Sequence, residues 1–370
     1  MFIMRIDRVT IYSFRVRLKS PFKIALGVST MSSGYVVRIE TNNGLIGYGE
    51  ASPAKMILGD DMESCLTTLK LLSKKIVGME MKSMEKLERI ISGFKGSASA
   101  KCAISMALWD LWARAHEEPL YILLGGDKPR IETDYTIGIK DVKETVNEAV
   151  MLAKMGFRTL KIKVGEDPKE DVERIRAVRE ALGDKVNIRI DANQGWSYEE
   201  ALWVIKEIKD LDIQLLEQPL PANDLRGLAK LKAKSDIPIM LDESIHNSYD
   251  AITAIKLNAC DVINIKLMKA TSIKEAIKIA HIAEAAEIPV MIGCMAELQV
   301  GILAGVNFAC GLNAIKYADL DADLMAERSI VNVRSIEIPF RYPIERPGLG
   351  FEDKDINYDL LTKEVEVHRD

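Results

Sequence analysis

Thr159–Leu160–Lys161–Ile162–Lys163–Val164–Gly165 reads as a short apolar strand closed by Lys163. The same plan returns four times. Asp191 follows Ile188–Arg189–Ile190, Glu217 follows Leu215–Leu216, Asp242 follows Ile239–Met240–Leu241, and Lys266 follows Val262–Ile263–Asn264–Ile265. The successive intervals are 28, 26, 25 and 24 residues. One strand-plus-helix unit of a parallel barrel is about that long, since about 250 residues divide among eight units. Between the runs lie helical patterns, among them Asp171 to Leu182, Tyr198 to Lys209 and Ile273 to Ala286. Such alternation implies βαβ units and a parallel sheet. No GxGxxG follows the first strand, so a dinucleotide-binding sheet has no direct support.

Outward from this core the pattern changes. Arg5 to Leu18 and Tyr35 to Glu40 read as strands, and Asn42–Asn43–Gly44 supplies a hairpin turn into Leu45 to Glu50. From Asp61 to about His116 the reading is helical. Met62, Leu66, Leu69, Leu72 and Ile76 recur at steps of three and four, and Ala103 to Ala115 is an apolar helix. Strands followed by separate helices indicate an α+β unit. The barrel regime starts near Arg130, and from about Ser329 the chain returns to irregular and strand-like sequence. The charged stretch Lys363 to Asp370 reads as a mobile tail.

Composition narrows the function. The 370 residues are 48% hydrophobic and 28% charged, the balance of a globular protein with a large core. A formal charge of −5 argues against a general nucleic-acid binder. No apolar run approaches the ~20 residues needed to span a bilayer. Met1 to Phe14 is interrupted by Arg5, Asp7 and Arg8, so it lacks the apolar core of a signal peptide and a cytoplasmic address is expected. Five scattered cysteines without a CxxC pair point to neither a disulfide framework nor a zinc cluster. The four histidines show no ligand spacing either, so carboxylates must hold any metal.

The residues at the strand ends carry the chemistry, because in a barrel the C-terminal ends of the strands face the active site. Asp191, Glu217 and Asp242 on adjacent strands can converge on one hard cation, and oxygen-only ligation favours Mg²⁺ over zinc. Without a cation the three anions would repel one another. Lys161 and Lys163, two apart on a strand, point to one face, where each ammonium disfavours the other's charge. One lysine can then approach neutrality and act as a base near pH 7. Lys266 enters from the opposite side of the mouth. Two bases flanking a metal-bound carboxylate suit a 1,1-proton transfer through an enediolate. A lone strand-end aspartate is more often a turn or cap residue, and Asp191–Ala192–Asn193 or Asp242–Glu243–Ser244 could each cap a helix. Five such residues in register are much harder to assign to capping.

The runs Pro21–Phe22–Lys23 (read as a loop), Gly47–Tyr48–Gly49–Glu50–Ala51, Lys161–Ile162–Lys163–Val164–Gly165 and Asp191–Ala192–Asn193–Gln194–Gly195 belong to a wider pattern. Glu217–Gln218–Pro219, Asp242–Glu243–Ser244 and Asn264–Ile265–Lys266–Leu267–Met268–Lys269 complete it. Together they resemble the muconate-lactonizing branch of the enolase superfamily, whose bases work beside Mg²⁺, and most closely its dipeptide epimerases. The resemblance covers essentially the whole chain. It implies an α/β fold, a modified (β/α)₇β TIM-type barrel with an α+β capping domain from the N-terminus and part of the C-terminus. The implied boundaries are 1–125 for the cap, 126–328 for the barrel and 329–370 for the segment completing the cap.

It further implies Lys163 and Lys266 as the two acid/bases, Lys161 as the residue that tunes the site and neutralises the substrate carboxylate, and Asp191, Glu217 and Asp242 as Mg²⁺ ligands. Asp319–Leu320–Asp321, 53 residues after Lys266, resembles the DxD that holds a dipeptide's α-ammonium. Cys294 and Ala296 fall where family members contact the peptide backbone, and Thr136 is a further candidate contact. The implied reaction is Mg²⁺-dependent epimerisation of the C-terminal residue of an L,L-dipeptide of Ala-Xaa type. Some Ala-Glu enzymes carry an arginine where this chain has Gly27, which favours a neutral or apolar Xaa unless Lys23 or Lys55 substitutes. The alternatives are a muconate-type cycloisomerase, an o-succinylbenzoate synthase-like enzyme and, from another class, a Schiff-base lysine aldolase. The expected partner is a small dipeptide, with neither nucleic acid nor membrane, and a homo-oligomer is compatible with the sequence.

Overall fold

The computed structural model describes residues 4–369, so Met1–Ile3 of the N-terminal reading and Asp370 of the tail lie outside the described residues. β1 (Ile6–Ile24) and β2 (Gly27–Thr41) form one long antiparallel hairpin, and β3 (Ile46–Ala51) pairs with the free side of β2. The expected turn joins them: Gly44, at φ +83°, donates its N–H to Thr41 O at 2.9 Å. Pro21–Phe22–Lys23 is not a loop. It continues β1, with Phe22 paired to Ser29 and Lys23 to Val28 after a break in register. Only two residues turn the hairpin, and pairing runs to its tip, where Ile24 meets Gly27.

The helices Met62–Ile76 and Ala98–Ala115 pack on this sheet. Leu69, Leu72 and Ile76 are fully buried, as their spacing requires, and Asp61 caps the first helix by accepting from Ser64 N–H. The second helix lies so close to β3 that a Cβ on Gly49 would stand 1.9 Å from Ala103 O. Gly49→Ala is therefore expected to cost about 1–3 kcal/mol or more from overpacking, read as a lowered thermal midpoint.

The C-terminal stretch departs from expectation. Leu361–His368 is a strand that pairs antiparallel with β1, from Phe14↔Leu361 to Arg8↔His368. Val365 packs against the cap core, while Lys363 and Glu364 are exposed. An edge strand with one apolar face two residues wide carries almost no periodic signal of its own.

The second body is an eight-stranded parallel sheet in strictly sequential order. Its strands are Tyr135–Ile137, Thr159–Lys163, Asn187–Asp191, Ile213–Glu217, Ile239–Leu241, Val262–Lys266, Val290–Gly293 and Ile315–Asp319. A helix follows each of the first seven, from Val142–Met155 to Gln299–Gly311, which is the (β/α)₇β plan. The seam is closed by a parallel bridge between Thr133 and Ala318 and by Leu320 N–H donating to Thr133 Oγ1 at 2.9 Å. Alternate residues point inward. Leu215, Met240, Val262 and Met291 form a buried interior cluster with Tyr317 against it. Arg189 joins this plug, bound to Asp134 (2.7 Å) and Gln214 (2.7 Å). Among the described residues no helix is long and apolar enough to cross a membrane.

Candidate active site

Sequential strand order turns the sequence register into a ring. Lys161 and Lys163 stand on the second strand, Asp191 on the third and Glu217 on the fourth. Asp242 follows the fifth, Lys266 ends the sixth, and Asp319 ends the eighth. Strands two and six of eight are diametrically opposed, so the acid trio lies between Lys163 and Lys266. Asp191, Glu217 and Asp242 are all fully buried and none points to solvent. Nor do the two aspartates cap helices. Ser197 caps Tyr198–Ile208 and Asn247 caps Ser248–Lys256, which releases Asp191 and Asp242 from that duty.

Each outer acid holds a different lysine. Lys163 Nζ lies 2.6 Å from Asp191 Oδ2, and Lys266 Nζ lies 2.8 Å from Asp242 Oδ2. Lys161 reaches across the floor to Asp319, to Glu217 Oε2 at 3.3 Å and to Asp191 Oδ2 at 3.6 Å. Of the two lysines on this strand face, Lys161 is not the one that approaches neutrality. Burial opposes its charge, but Asp319, Glu217 and Asp191 outweigh burial and hold the ammonium well above its ordinary range. Lys266 is raised in the same way, burial opposing and Asp242 prevailing. Burial and then Asp191 push the Glu217 carboxyl up to about 7.

The donor set fits a hard divalent cation. It is all oxygen and buried, and its members repel one another. Neither carboxylate oxygen of Asp242 sits in hydrogen-bonding geometry with a donor, although both face ammoniums. A tighter grouping, within 4.8 Å, is formed by Cys294, Asp319 and Asp321. That group is already engaged: Asp319 holds Lys161, Asp321 accepts from Thr136, and burial keeps the Cys294 thiol well above its ordinary pKa. The trio remains the better cation site.

The remaining candidates line one cavity of about 320 Å³ at this mouth. Asp319 and Asp321 share a wall with Cys294, Ala296 and Thr136. Thr136 braces both aspartates, its N–H donating to Asp321 Oδ2 at 2.6 Å and its hydroxyl to Asp319 Oδ1 at 3.1 Å. Burial and then Asp319 push Asp321 up to about 7. The carbonyl of Ala296 is taken by Ser32 Oγ at 2.6 Å. Met295 lines the cavity as well.

The β1–β2 hairpin spans the mouth. At its root Leu18 bridges to Ala326 and Lys19 Nζ donates to Leu324 O (2.8 Å), beyond the DxD. Farther out Lys23 pairs with Glu166 (2.7 Å), beyond Lys163. It roofs the cavity with apolar side chains, chiefly Phe22, Ile24, Leu26 and Val28, and Met56 and Ile57 face them from the following segment. Lys23 is thus tied outside the cavity. Lys55 reaches the rim with its side chain 76% exposed and 3.9 Å from Asp61.

Three residues carried no assigned role in the sequence reading. Lys269 is buried, donates to the carbonyls of Asp242, Ile245 (3.0 Å) and Asn264 (3.2 Å), and lies 2.6 Å from Asp242 Oδ1. Asn193 and Glu243 form a second contact chain behind Lys163. Their only sequence signal is membership of the quoted motifs.

Residues 6–125 match the family model for the mandelate racemase / muconate lactonizing enzyme N-terminal domain, and residues 144–355 match the enolase C-terminal domain-like model. A Clostridium acetobutylicum protein named L-Ala-D/L-Glu epimerase is 38% identical over 94% of this chain and 99% of its own. An Enterococcus faecalis protein named hydrophobic dipeptide epimerase is 40% identical over 89% of this chain and 93% of its own. The crystal structure of a Cytophaga hutchinsonii dipeptide epimerase complexed with Mg and D-Ala-L-Val superposes with a TM-score of 0.94 at 36% identity, covering 99% of this chain and 100% of that one.

Proposed function

Because the chain belongs to the enolase superfamily and carries the N-terminal domain of its mandelate racemase / muconate lactonizing branch, we propose that it is an isomerase. It epimerises the C-terminal residue of an L,L-dipeptide of Ala-Xaa type by two-base 1,1-proton transfer. The observation that carries this reading is the pair of lysines on opposed strands, each bound to a different end of one acid trio. The relatives named for dipeptide epimerisation support it.

Asp191, Glu217 and Asp242 would hold Mg²⁺. Bound there, the ion supplies positive charge beside the substrate carboxylate, where negative charge accumulates as the α-proton leaves. Lys161 adds a buried ammonium on the same side. Asp319 and Asp321 receive the dipeptide's α-ammonium and fix its amino end, which leaves the C-terminal α-carbon between Lys163 and Lys266. The lysine that is uncharged on entry takes the proton from one face, and the other, as ammonium, returns one to the opposite face. The apolar roof and the absence of an arginine at Gly27 favour a neutral or apolar Xaa side chain.

The deciding experiment is a panel of L,L-dipeptides incubated in deuterated water and read by mass gain. Uptake of one deuteron at the C-terminal residue, greatest for apolar Xaa, is expected. No uptake from any dipeptide in the presence of Mg²⁺ would end the epimerase reading. Chelation by EDTA is expected to lower exchange at least about a hundredfold, with recovery on adding Mg²⁺. Full activity after chelation, with borohydride trapping of a carbonyl substrate, would point instead to Schiff-base chemistry.

A further inference from the structure

Lys163 and Lys266 are not held alike. Lys266 has its carboxylate partner Asp242. Lys163 has Asp191 and, in addition, a neutral acceptor, Asn193 Oδ1 at 2.9 Å. An ammonium only donates, so the side-chain oxygen of Asn193 must face it, and the amide nitrogen must face an acceptor on the other side. That acceptor is Glu243 Oε1, 3.1 Å from Asn193 Nδ2. Asn193 itself is locked in place: its backbone lies at φ +41°, a region asparagine tolerates better than most residues, and its N–H donates to Asp191 Oδ1 at 3.0 Å. Both side chains are buried, Asn193 at 1% and Glu243 at 4% exposure. A buried chain of this kind fixes an amide's orientation more firmly than a solvated one.

We infer that Asn193 and Glu243 are positioning residues for Lys163, Glu243 fixing the amide and the amide aiming the amine, so that they serve proton transfer on one face of the substrate and not on the other. This rests on the two-base reading above and deepens it. Neither residue moves a proton itself. The chain acts through the direction of the Nζ, and proton transfer falls steeply when donor and acceptor are misplaced by about 1 Å.

The test uses the full chain with Mg²⁺ and follows α-deuterium uptake separately from the L,L and L,D epimers of one dipeptide. Lys163→Ala first identifies the epimer whose exchange depends on Lys163. Asn193→Gly removes the amide and keeps the backbone conformation accessible. It is expected to lower exchange of that same epimer at least about tenfold while the other epimer stays within about threefold, which also reports that the fold and metal site are intact. Glu243→Ala removes the acceptor and is expected to lower exchange of that same epimer at least about fivefold, while Glu243→Gln, which keeps an acceptor oxygen, is expected to restore it. No loss in Glu243→Ala overturns the role given to Glu243. Equal loss for both epimers in Asn193→Gly, or no loss for either, overturns the inference. Absence of exchange in the unaltered protein instead overturns the epimerase reading beneath it.

Discussion

Lys266→Ala is expected to lose epimerisation by at least about a thousandfold while still exchanging the α-proton of one epimer. A positioned acid or base contributes about 10²- to 10⁴-fold, and alanine offers no substitute within reach. Lys163 sits on the opposed strand, bound to Asp191 rather than Asp242, so its own face keeps a working base. Lys163→Ala should show the complementary result, exchange from the other epimer alone. The two variants together separate a two-base mechanism from one in which a single lysine serves both faces. In the latter, one of the two substitutions would leave turnover intact, and that lysine would leave the mechanism.

The second large effect is at Asp321. Its carboxyl lies against Asp319 and accepts from Thr136, with burial raising it to about 7. A substrate ammonium arriving between the two aspartates would favour the ionised form and gain a charge-assisted hydrogen bond. Asp321→Ala is expected to lower kcat/KM for dipeptides by about 100-fold, the loss of about 2–3 kcal/mol for a hydrogen bond to a charged group. Acetylating the dipeptide's amino group should lower turnover in the unaltered protein by a similar factor and add little in the variant. A full further loss on acetylation in Asp321→Ala would place the ammonium elsewhere and reopen the cycloisomerase and o-succinylbenzoate synthase-like readings.

The barrel register was legible because it is local. The strands that carry the ring are short apolar runs, each ended or directly followed by a charged residue. Asp191, Glu217, Asp242, Lys163 and Lys266 therefore land in the ring from spacing alone. What depends on distant strands was not legible. Lys161 is held by Asp319, 158 residues away, and no local pattern names that partner. The strand Leu361–His368 is specified by β1, more than 340 residues earlier, and not by its own pattern. Asn193 and Glu243 could be seen in their motifs, but the direction of an amide cannot be read from spacing.

The plug beneath the ring has a kinetic corollary. With Arg189, Asp134, Leu215, Met240 and Met291 filling the barrel's interior, the cavity is a cul-de-sac. On the proposed function the two diastereomers would share this cavity under the β1–β2 ribbon, so each would exclude the other while it is inside. Progress curves started from either one should therefore slow through simple mutual competition, long before the mixture reaches equilibrium.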